Sequence, residues 1–210
     1  GFKVPKINEE RAVCKNITDV IQHCDKWQAE REDYAFEIDG MVVKVNDLEL
    51  QDLCGYTSHH PRWAIAFKFK AKQATTKLLA IDYQVGRTGA VTPVARLHPV
   101  ELAGATISNV SLHNADFINE KDIRVGDTVL VERAGDVIPY IVKSMAELRD
   151  GSETKVIYPS NCPICESTLQ RPEDEAVWRC TNSKCDAQIV GKMVHFVSKN
   201  AMNIDGFGEA

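Results

Sequence analysis

The stretch Glu37-Ile38-Asp39-Gly40-Met41-Val42-Val43-Lys44-Val45 decides how the first part of this chain folds. A second stretch of the same character follows it, Pro61-Arg62-Trp63-Ala64-Ile65-Ala66-Phe67-Lys68-Phe69. Apolar and β-branched residues dominate both, which predicts two strands that are each buried on at least one face. Each predicted strand also contains one lysine, whose ammonium group must leave water or find an anion.

Two lysines on neighbouring strands, Lys44 and Lys68, predict a binding site for an anion, and phosphate is the usual candidate. The alternative is that both lysines lie on a solvated face of the sheet, which would be the better interpretation of a single lysine. Because both strands carry one, each preceded by apolar residues, the pattern favours a site.

Other elements follow from the spacing of apolar residues. A helix is predicted from Asn16 to about Glu30, with Asn16 or Thr18 as its N-terminal cap, and 47–54 predict one or two helical turns that end at Gly55. From about Ala71 the pattern changes to short strands separated by Gly, Pro, Asn or Asp. The predicted strands span 78–85, 91–97, 100–103, 127–131 and 137–143. Five such strands are typical of a small barrel, although periodicity alone would equally describe part of a β-sandwich.

Four of the seven cysteines have the spacing C-x2-C-x14-C-x4-C, and these are Cys162, Cys165, Cys180 and Cys185. Two short-spaced pairs can present four thiolates to one tetrahedral zinc ion, which predicts a structural site without an open position. A module of about 30 residues with few large apolar side chains needs such an ion for its folding energy. Two disulfides are the alternative, and they fit poorly with an intracellular protein. A polar turn at 148–153 predicts a boundary before this module, and helical spacing returns at 188–200.

The composition is that of an ordinary soluble protein, with 210 residues of which 44% are hydrophobic and 26% charged. No run of about 18 apolar residues exists, so no membrane span is expected. The first residues also lack the apolar core of a signal peptide, which predicts a cytoplasmic location. A net charge of −5 argues mildly against nucleic acid, so any DNA binding must come from the local placement of arginines and backbone amides.

These motifs resemble those of one family, the NAD-dependent bacterial DNA ligases. The stretch 37–45 is similar to the fourth signature motif of that family, and 62–69 is similar to the fifth. The stretches 84–95, 108–116 and 133–139 resemble its oligonucleotide-binding (OB) domain, and the four cysteines resemble its zinc module. The resemblance covers essentially the whole chain in the same order.

This resemblance implies a multi-domain α+β fold. Residues 1–70 would be the end of an adenylation domain, which is a nucleotidyltransferase domain with an ATP-grasp-like fold. A five-stranded OB barrel would follow in 71–149 and a four-cysteine zinc-finger module in 150–188. Residues 189–210 would be a terminal helix that starts a helix-hairpin-helix domain.

The resemblance also implies the chemistry. The family seals nicks in double-stranded DNA through ligase-AMP and DNA-adenylate intermediates, with NAD+ as adenylate donor and Mg2+ or Mn2+ as metal, in replication and repair. The chain contains no K-x-D-G motif, which carries the nucleophilic lysine of the family; its only near match, Glu37-Ile38-Asp39-Gly40, has glutamate where the lysine would be. We therefore expect this chain alone to be inactive, as an incomplete part of a monomeric enzyme that acts at the nucleoid of the bacterial cytoplasm. The alternative is a non-catalytic nucleic-acid-binding protein built from the barrel and the zinc module.

The resemblance assigns roles residue by residue. Lys44 and Lys68 would hold the AMP phosphate and stabilise charge in the transition state. Arg31 would help to bind the nucleotide, and Asp39 would serve the metal through the ion or its waters. Two arginines of the barrel would contact DNA near the nick, and these are Arg87 and Arg133. Without the motifs around them, each of the three arginines would be interpreted as a solvated surface residue.

Overall fold

The computed structural model describes Lys6 and residues 10–133, 138–173 and 175–208. The chain divides into two compact units. The first, here called the hairpin unit, lies within residues 1–72, and the second, here called the barrel–zinc unit, contains 73–133 and the residues from 138 onward. Among the described residues, no helix has both the length and the apolar character needed to cross a membrane.

The hairpin unit contains two helices and two strands. They are α1 (Ile17–Glu30), β1 (Gly40–Lys44), α2 (Leu48–Cys54) and β2 (Ala64–Lys68). Asn16 caps α1 by accepting a hydrogen bond from the Asp19 amide, and Asp47 caps α2 in the same way. Gly55 ends α2 with a φ of 68°, where glycine is favoured because it has no side chain to clash. The predicted helices and strands of this region are confirmed.

The barrel–zinc unit is built on a five-stranded antiparallel sheet. Its strands are β3 (Lys72–Val85), β4 (Val91–Leu102), β5 (Ala105–Ser111), β7 (Thr128–Arg133) and β8 (Tyr140–Ser144). The helix α3 (Ala115–Glu120) and the short strand β6 (Arg124–Val125) lie between β5 and β7. The sheet order is β5-β4-β3-β7-β8, and some Cα atoms of the edge strands β5 and β8 come within 8 Å of each other. The sheet thus has the strand number of the predicted barrel.

Two of the predicted strands were wrong in their bounds. The predicted strands 91–97 and 100–103 are one continuous strand, β4, whose pairing with β5 shifts register between Arg96 and Val100. Pro99 lies at this irregularity, which is where a sheet tolerates proline, although in the sequence it reads as a strand end. The fifth strand is instead β5, for which the sequence predicted no strand.

The core of the sheet is apolar and closed to solvent. It is formed by Leu78, Ala95, Leu97, Leu102, Ile107, Val110, Leu112, Ile118, Ile123, Val129, Val131 and Ile141. One ion pair reaches into this region from the segment after β8: the Arg149 Nε atom lies 2.7 Å from an Oδ atom of Asp127, which has no solvent exposure. Arg149 therefore fastens the predicted boundary segment to the sheet.

The cysteine module follows a strand β9 (Thr154–Lys155), which pairs with β6. It consists of the short pair β10 (Leu169–Gln170) and β11 (Arg179–Cys180), followed by helix α4 (Asp186–Val197). Val91 of the sheet packs in one buried cluster with Leu169 and three of the cysteines. The module and the sheet therefore share a second core.

Candidate functional site

The two predicted lysine strands form an antiparallel hairpin. Gly40 is opposite Lys68 and Lys44 is opposite Ala64, so the two lysines lie on the same face of the hairpin. They are four residues apart along the strands, which is about 14 Å at 3.4 Å per residue. Lys44 and Lys68 therefore project from one face but from its opposite ends.

This face is exposed to solvent. Both lysines are exposed, and so is Val42 between them. The expectation that a lysine in these strands must leave water was therefore wrong, because the hairpin turns its lysine face outward and half-buries the opposite face at Met41 and Phe67. A face of this kind leaves two ammonium groups accessible to an anionic ligand.

Asp39 is the direct partner of Lys68. The Lys68 Nζ atom lies 2.5 Å from Asp39 Oδ2, and the backbone amide of Phe69 donates to the Asp39 carbonyl at 3.0 Å. The hydrogen bond from Lys68 lowers the pKa of Asp39 below its ordinary value. Asp39 is therefore ionised at neutral pH, as a metal ligand or a water-binding carboxylate must be.

Arg31 lies at the same end of the hairpin. Its guanidinium group is 5.7 Å from the centre of the Phe69 ring, and its Nη1 atom donates to the carbonyl of Lys70 at 2.9 Å. Phe69 is buried, so it forms a fixed support under the arginine. The structure thus pairs Lys68 with Asp39, places Arg31 on the next residues, Phe69 and Lys70, and places Lys44 at the far end of the lysine face.

The four cysteines meet at one point. Their Sγ atoms all lie within 4.8 Å of one another, with 3.9 Å between Cys162 and Cys185 and 3.5 Å between Cys165 and Cys180. Four thiolates around a zinc ion at about 2.3 Å require sulfur separations of this size. The donor set and its geometry fit a structural zinc ion, as the spacing predicted.

Local backbone structure prepares this metal centre. The Cys162 amide donates to the Ser167 carbonyl, and the Glu166 amide donates to the Cys162 carbonyl, which folds the first ligand pair into a tight turn. Hydrogen bonds from Ser167 lower the pKa of Cys165, whereas burial raises the pKa of Cys180 and of Cys185. A bound zinc ion would offset this effect of burial, because its positive charge stabilises the thiolate form of each cysteine.

The two barrel arginines are far apart along β3. Arg87 is exposed in the turn between β3 and β4, whereas Arg133 ends β7 and donates to the Ala103 carbonyl at 2.6 Å. β7 runs along β3 with Gln73 beside Glu132, so Arg133 lies toward the beginning of β3. The structure does not bring the two arginines together. The residues that follow Arg133 in its motif, 134–137, lie outside the described residues.

Sequence reasoning missed one buried polar residue of the metal module, Gln188. Its Nε2 atom donates to the carbonyls of Cys180 and Asn182, at 2.8 and 3.1 Å. A glutamine three residues after a metal-ligating cysteine is the signal that could have identified it, since such an amide can satisfy the backbone around the metal.

Three family models match the chain in order. The NAD-dependent DNA ligase adenylation domain matches residues 1–72, the NAD-dependent DNA ligase OB-fold domain matches 75–153, and the NAD-dependent DNA ligase C4 zinc finger domain matches 161–187. The hairpin unit falls within the first match, nearly all of the five-stranded sheet within the second, and the four clustered cysteines within the third.

Relatives named DNA ligase align along nearly the whole chain. The protein from Persephonella marina is 60% identical over 210 residues, and that from Aquifex aeolicus is 54% identical over the same length. The protein from Listeria innocua is 53% identical over 204 residues, or 97% of this chain. The chain spans only 29%, 29% and 30% of the length of these three relatives. With three domains matched in order and this degree of identity, the chain belongs to the NAD-dependent DNA ligase family.

Proposed function

We propose that the protein carrying this chain seals nicks in double-stranded DNA, with NAD+ as the donor of the adenylate group. The observation that carries this proposal is the pair of Lys68 and Asp39 at one end of the hairpin, with Arg31 on the adjacent residues Phe69 and Lys70. It combines an exposed ammonium group, an ionised carboxylate and a supported guanidinium group within a segment that matches an adenylation domain. Together these groups can bind a nucleotide phosphate and stabilise the negative charge on its oxygens.

The lysines would act through their charge. A phosphoryl group that changes partners spreads negative charge over its oxygens, and fixed cations stabilise that charge more in the transition state than in the ground state. Lys44 and Lys68 project from one face, so their long side chains can converge on one phosphate-bearing group. Asp39 would hold Mg2+ or its water ligands. When bound, this ion would neutralise charge on the phosphate oxygens.

The barrel–zinc unit would hold the DNA. Arg87 and Arg133 lie toward opposite ends of β3, so each would contact a different part of the sugar–phosphate backbone of a nicked duplex. The zinc ion would stabilise the module without taking part in the chemistry. The proposal assigns 1–70 to the adenylation domain, 71–149 to the OB domain, 150–188 to the zinc module and 189–210 to the start of a helix-hairpin-helix domain.

The cellular setting follows from the same proposal. The protein would act as a monomer on chromosomal DNA in the bacterial cytoplasm, during replication and repair. The relatives from Persephonella, Aquifex and Listeria, each named DNA ligase, support the activity.

Single-turnover sealing of a nicked duplex by the intact protein tests the proposal. We expect Lys44→Ala and Lys68→Ala each to slow sealing by about 100-fold or more, comparable with the loss of one transition-state hydrogen-bond donor. Lys26→Ala is the matched control, because Lys26 is an exposed lysine on α1 whose weak contact is with Glu30. If both hairpin variants seal at the wild-type rate, the proposed function is wrong.

A further inference from the structure

The turn that carries Arg87 has a defined shape of its own. It joins β3 to β4, with the Gly86 amide donating to the Ala90 carbonyl and the Gly89 amide donating to the Gly86 carbonyl, both at 2.9 Å. Arg87 is exposed at the top of this turn, whereas Gly89 is buried. The buried side of the turn contacts the cysteine module.

The first contact is made with β11. The Cys180 amide donates to the Gly89 carbonyl at 2.8 Å, and the Val91 amide donates to the Trp178 carbonyl at 2.9 Å. These bonds flank an antiparallel bridge between Ala90 and Arg179. A Cβ atom on Gly89 would lie 2.2 Å from the Cys180 carbonyl oxygen, and the φ of Gly89 is +80°. Glycine is therefore required here for this close approach.

The second contact is made with α4. Gly191 lies beneath Arg87, and a Cβ atom on Gly191 would lie 3.0 Å from the Arg87 Cβ atom and 3.1 Å from its Cα atom. Glycine weakens a helix interior relative to alanine. The absence of a side chain at Gly191 explains its use inside α4, because it lets the helix approach the backbone of Arg87 closely.

Both contacts involve elements that carry the last two metal ligands, Cys180 and Cys185. Cys180 pairs directly with the turn, and Cys185 is the N-cap of α4, so it fixes where the helix that carries Gly191 begins. Gln188 joins the two by donating from α4 to the Cys180 carbonyl. The position of the turn is thereby set by the metal module.

We infer that Gly89 and Gly191 are positioning residues for Arg87, through which the zinc module holds the arginine toward the DNA backbone. This inference rests on the proposed DNA contact of Arg87. It gives the zinc module a second role, since the module fixes a contact to DNA as well as its own fold. A side chain at Gly191 would push the turn away and move the guanidinium group from its phosphate.

A double-mutant cycle on the intact, zinc-loaded protein tests the inference. The readout is the dissociation constant for a fluorescently labelled nicked duplex, measured over a range of salt concentrations. We expect Arg87→Ala and Gly191→Leu each to weaken binding by about tenfold, the size of one charged hydrogen bond. Each should also lower the salt slope by about 0.9, the value of one phosphate contact. Gly191→Ala, which needs a smaller shift, should give a smaller loss of the same kind.

In the Arg87→Ala background, Gly191→Leu should add no further loss, because its effect passes through the arginine. An additive loss in the double variant would overturn the inference, since a general structural defect does not depend on Arg87. Gly208→Ala is the control, because a Cβ atom there meets nothing within 4 Å. Zinc content is measured on every variant. If Gly191→Leu loses its zinc, Gly191→Ala and its double variant decide the outcome.

Two further results separate the inference from the proposed function. If Arg87→Ala binds nicked DNA as the wild type does, the proposed DNA contact of Arg87 is wrong, and the inference is overturned with it. If Arg87→Ala weakens binding but the zinc-loaded Gly191 variants do not, the inference is wrong and the proposed contact stands.

Discussion

Two ion pairs of similar length lie in different surroundings in the two units. In the hairpin unit, Lys68 and Asp39 are 2.5 Å apart, and their side chains are 64% and 49% exposed. In the barrel–zinc unit, Arg149 and Asp127 are 2.7 Å apart, and their side chains are 13% and 0% exposed. An exposed pair contributes little to stability, whereas a buried pair cannot lose one partner without leaving an uncompensated charge.

The packing around each pair follows the same contrast. The barrel pair lies beside a continuous apolar core, whereas the described hairpin unit buries few large side chains, among them Trp27 and Phe69. Val42 and Ile65 of the hairpin remain about 70% exposed. The hairpin unit thus keeps its charged pair accessible to solvent, whereas the barrel–zinc unit uses its charged pair, together with packing, to hold its fold.

The largest expected effect concerns the scaffold side of this comparison. Cys162→Ser should abolish tight zinc binding, because binding to four thiolates supplies the folding energy of such a module. The module should lose its structure while the sheet stays folded, since the sheet has a core of its own. Elemental analysis should find one zinc ion per wild-type chain and less in the variant. A wild-type chain that is metal-free when purified in reduced form would contradict the zinc assignment.

The buried ion pair gives the next largest effect. Arg149→Ala should lower the free energy of unfolding by about 3 kcal/mol, because it leaves the Asp127 carboxylate buried without its cation. Arg96→Ala is the matched control. Arg96 pairs with Asp82 at 2.6 Å, but both side chains are more than half exposed, so its loss should cost less than about 1 kcal/mol. Equal effects of the two variants in urea unfolding would break the comparison between buried and exposed pairs.

A smaller effect concerns the two arginines of the proposed DNA surface. Arg87→Ala and Arg133→Ala should each weaken binding of the intact protein to nicked DNA and lower the salt slope by about 0.9. Because the two residues lie toward opposite ends of β3, their effects should add. Titrations at several salt concentrations measure both quantities. An unchanged slope in either variant would remove that arginine from the proposed DNA surface.

The smallest expected effect is a dependence of folding stability on pH in the acid range. Hydrogen bonds from Arg149 and Arg124 lower the pKa of Asp122 from 3.8 to about 2. Because the folded pKa lies below the unfolded one, this contribution to stability is present above about pH 4 and is lost as the pH falls toward 2. Unfolding midpoints measured from pH 5 to pH 2 should therefore fall less steeply in Asp122→Asn than in the wild type. A wild-type slope in that variant would show that Asp122 does not carry this dependence.

Much of the fold could be predicted from periodicity and capping residues. Of the two possible caps of α1, Asn16 and Thr18, the structure uses Asn16, and Gly55 ends α2 as predicted. The lysine strands were correct because their apolar runs are long enough to identify. Pro99 misled the prediction, since proline breaks most strands but is accepted at a bulge. β5 was missed because its polar residues hide the alternation that a half-buried strand usually shows.

Some features of the candidate sites could be predicted from the sequence, and others could not. The metal centre could be predicted because cysteine spacing nearly determines a tetrahedral site. The exposure of Lys44 and Lys68 could not, because an isolated strand sequence does not show which of its faces the tertiary structure covers. The contact between Gly191 and Arg87 joins residues that are distant in sequence, and no local pattern reports such an approach.

Self-adenylation of the intact protein tests the central claim most directly, which is that the hairpin lysines assist the nucleotide chemistry and the barrel–zinc unit holds the DNA. The covalent AMP adduct formed from NAD+ is followed by mass spectrometry in the wild type, Lys68→Ala and Arg87→Ala, without DNA. We predict that Lys68→Ala slows adduct formation by about 100-fold, while Arg87→Ala forms it at nearly the wild-type rate. If Arg87→Ala loses self-adenylation as severely as Lys68→Ala, the two units do not divide the work in this way.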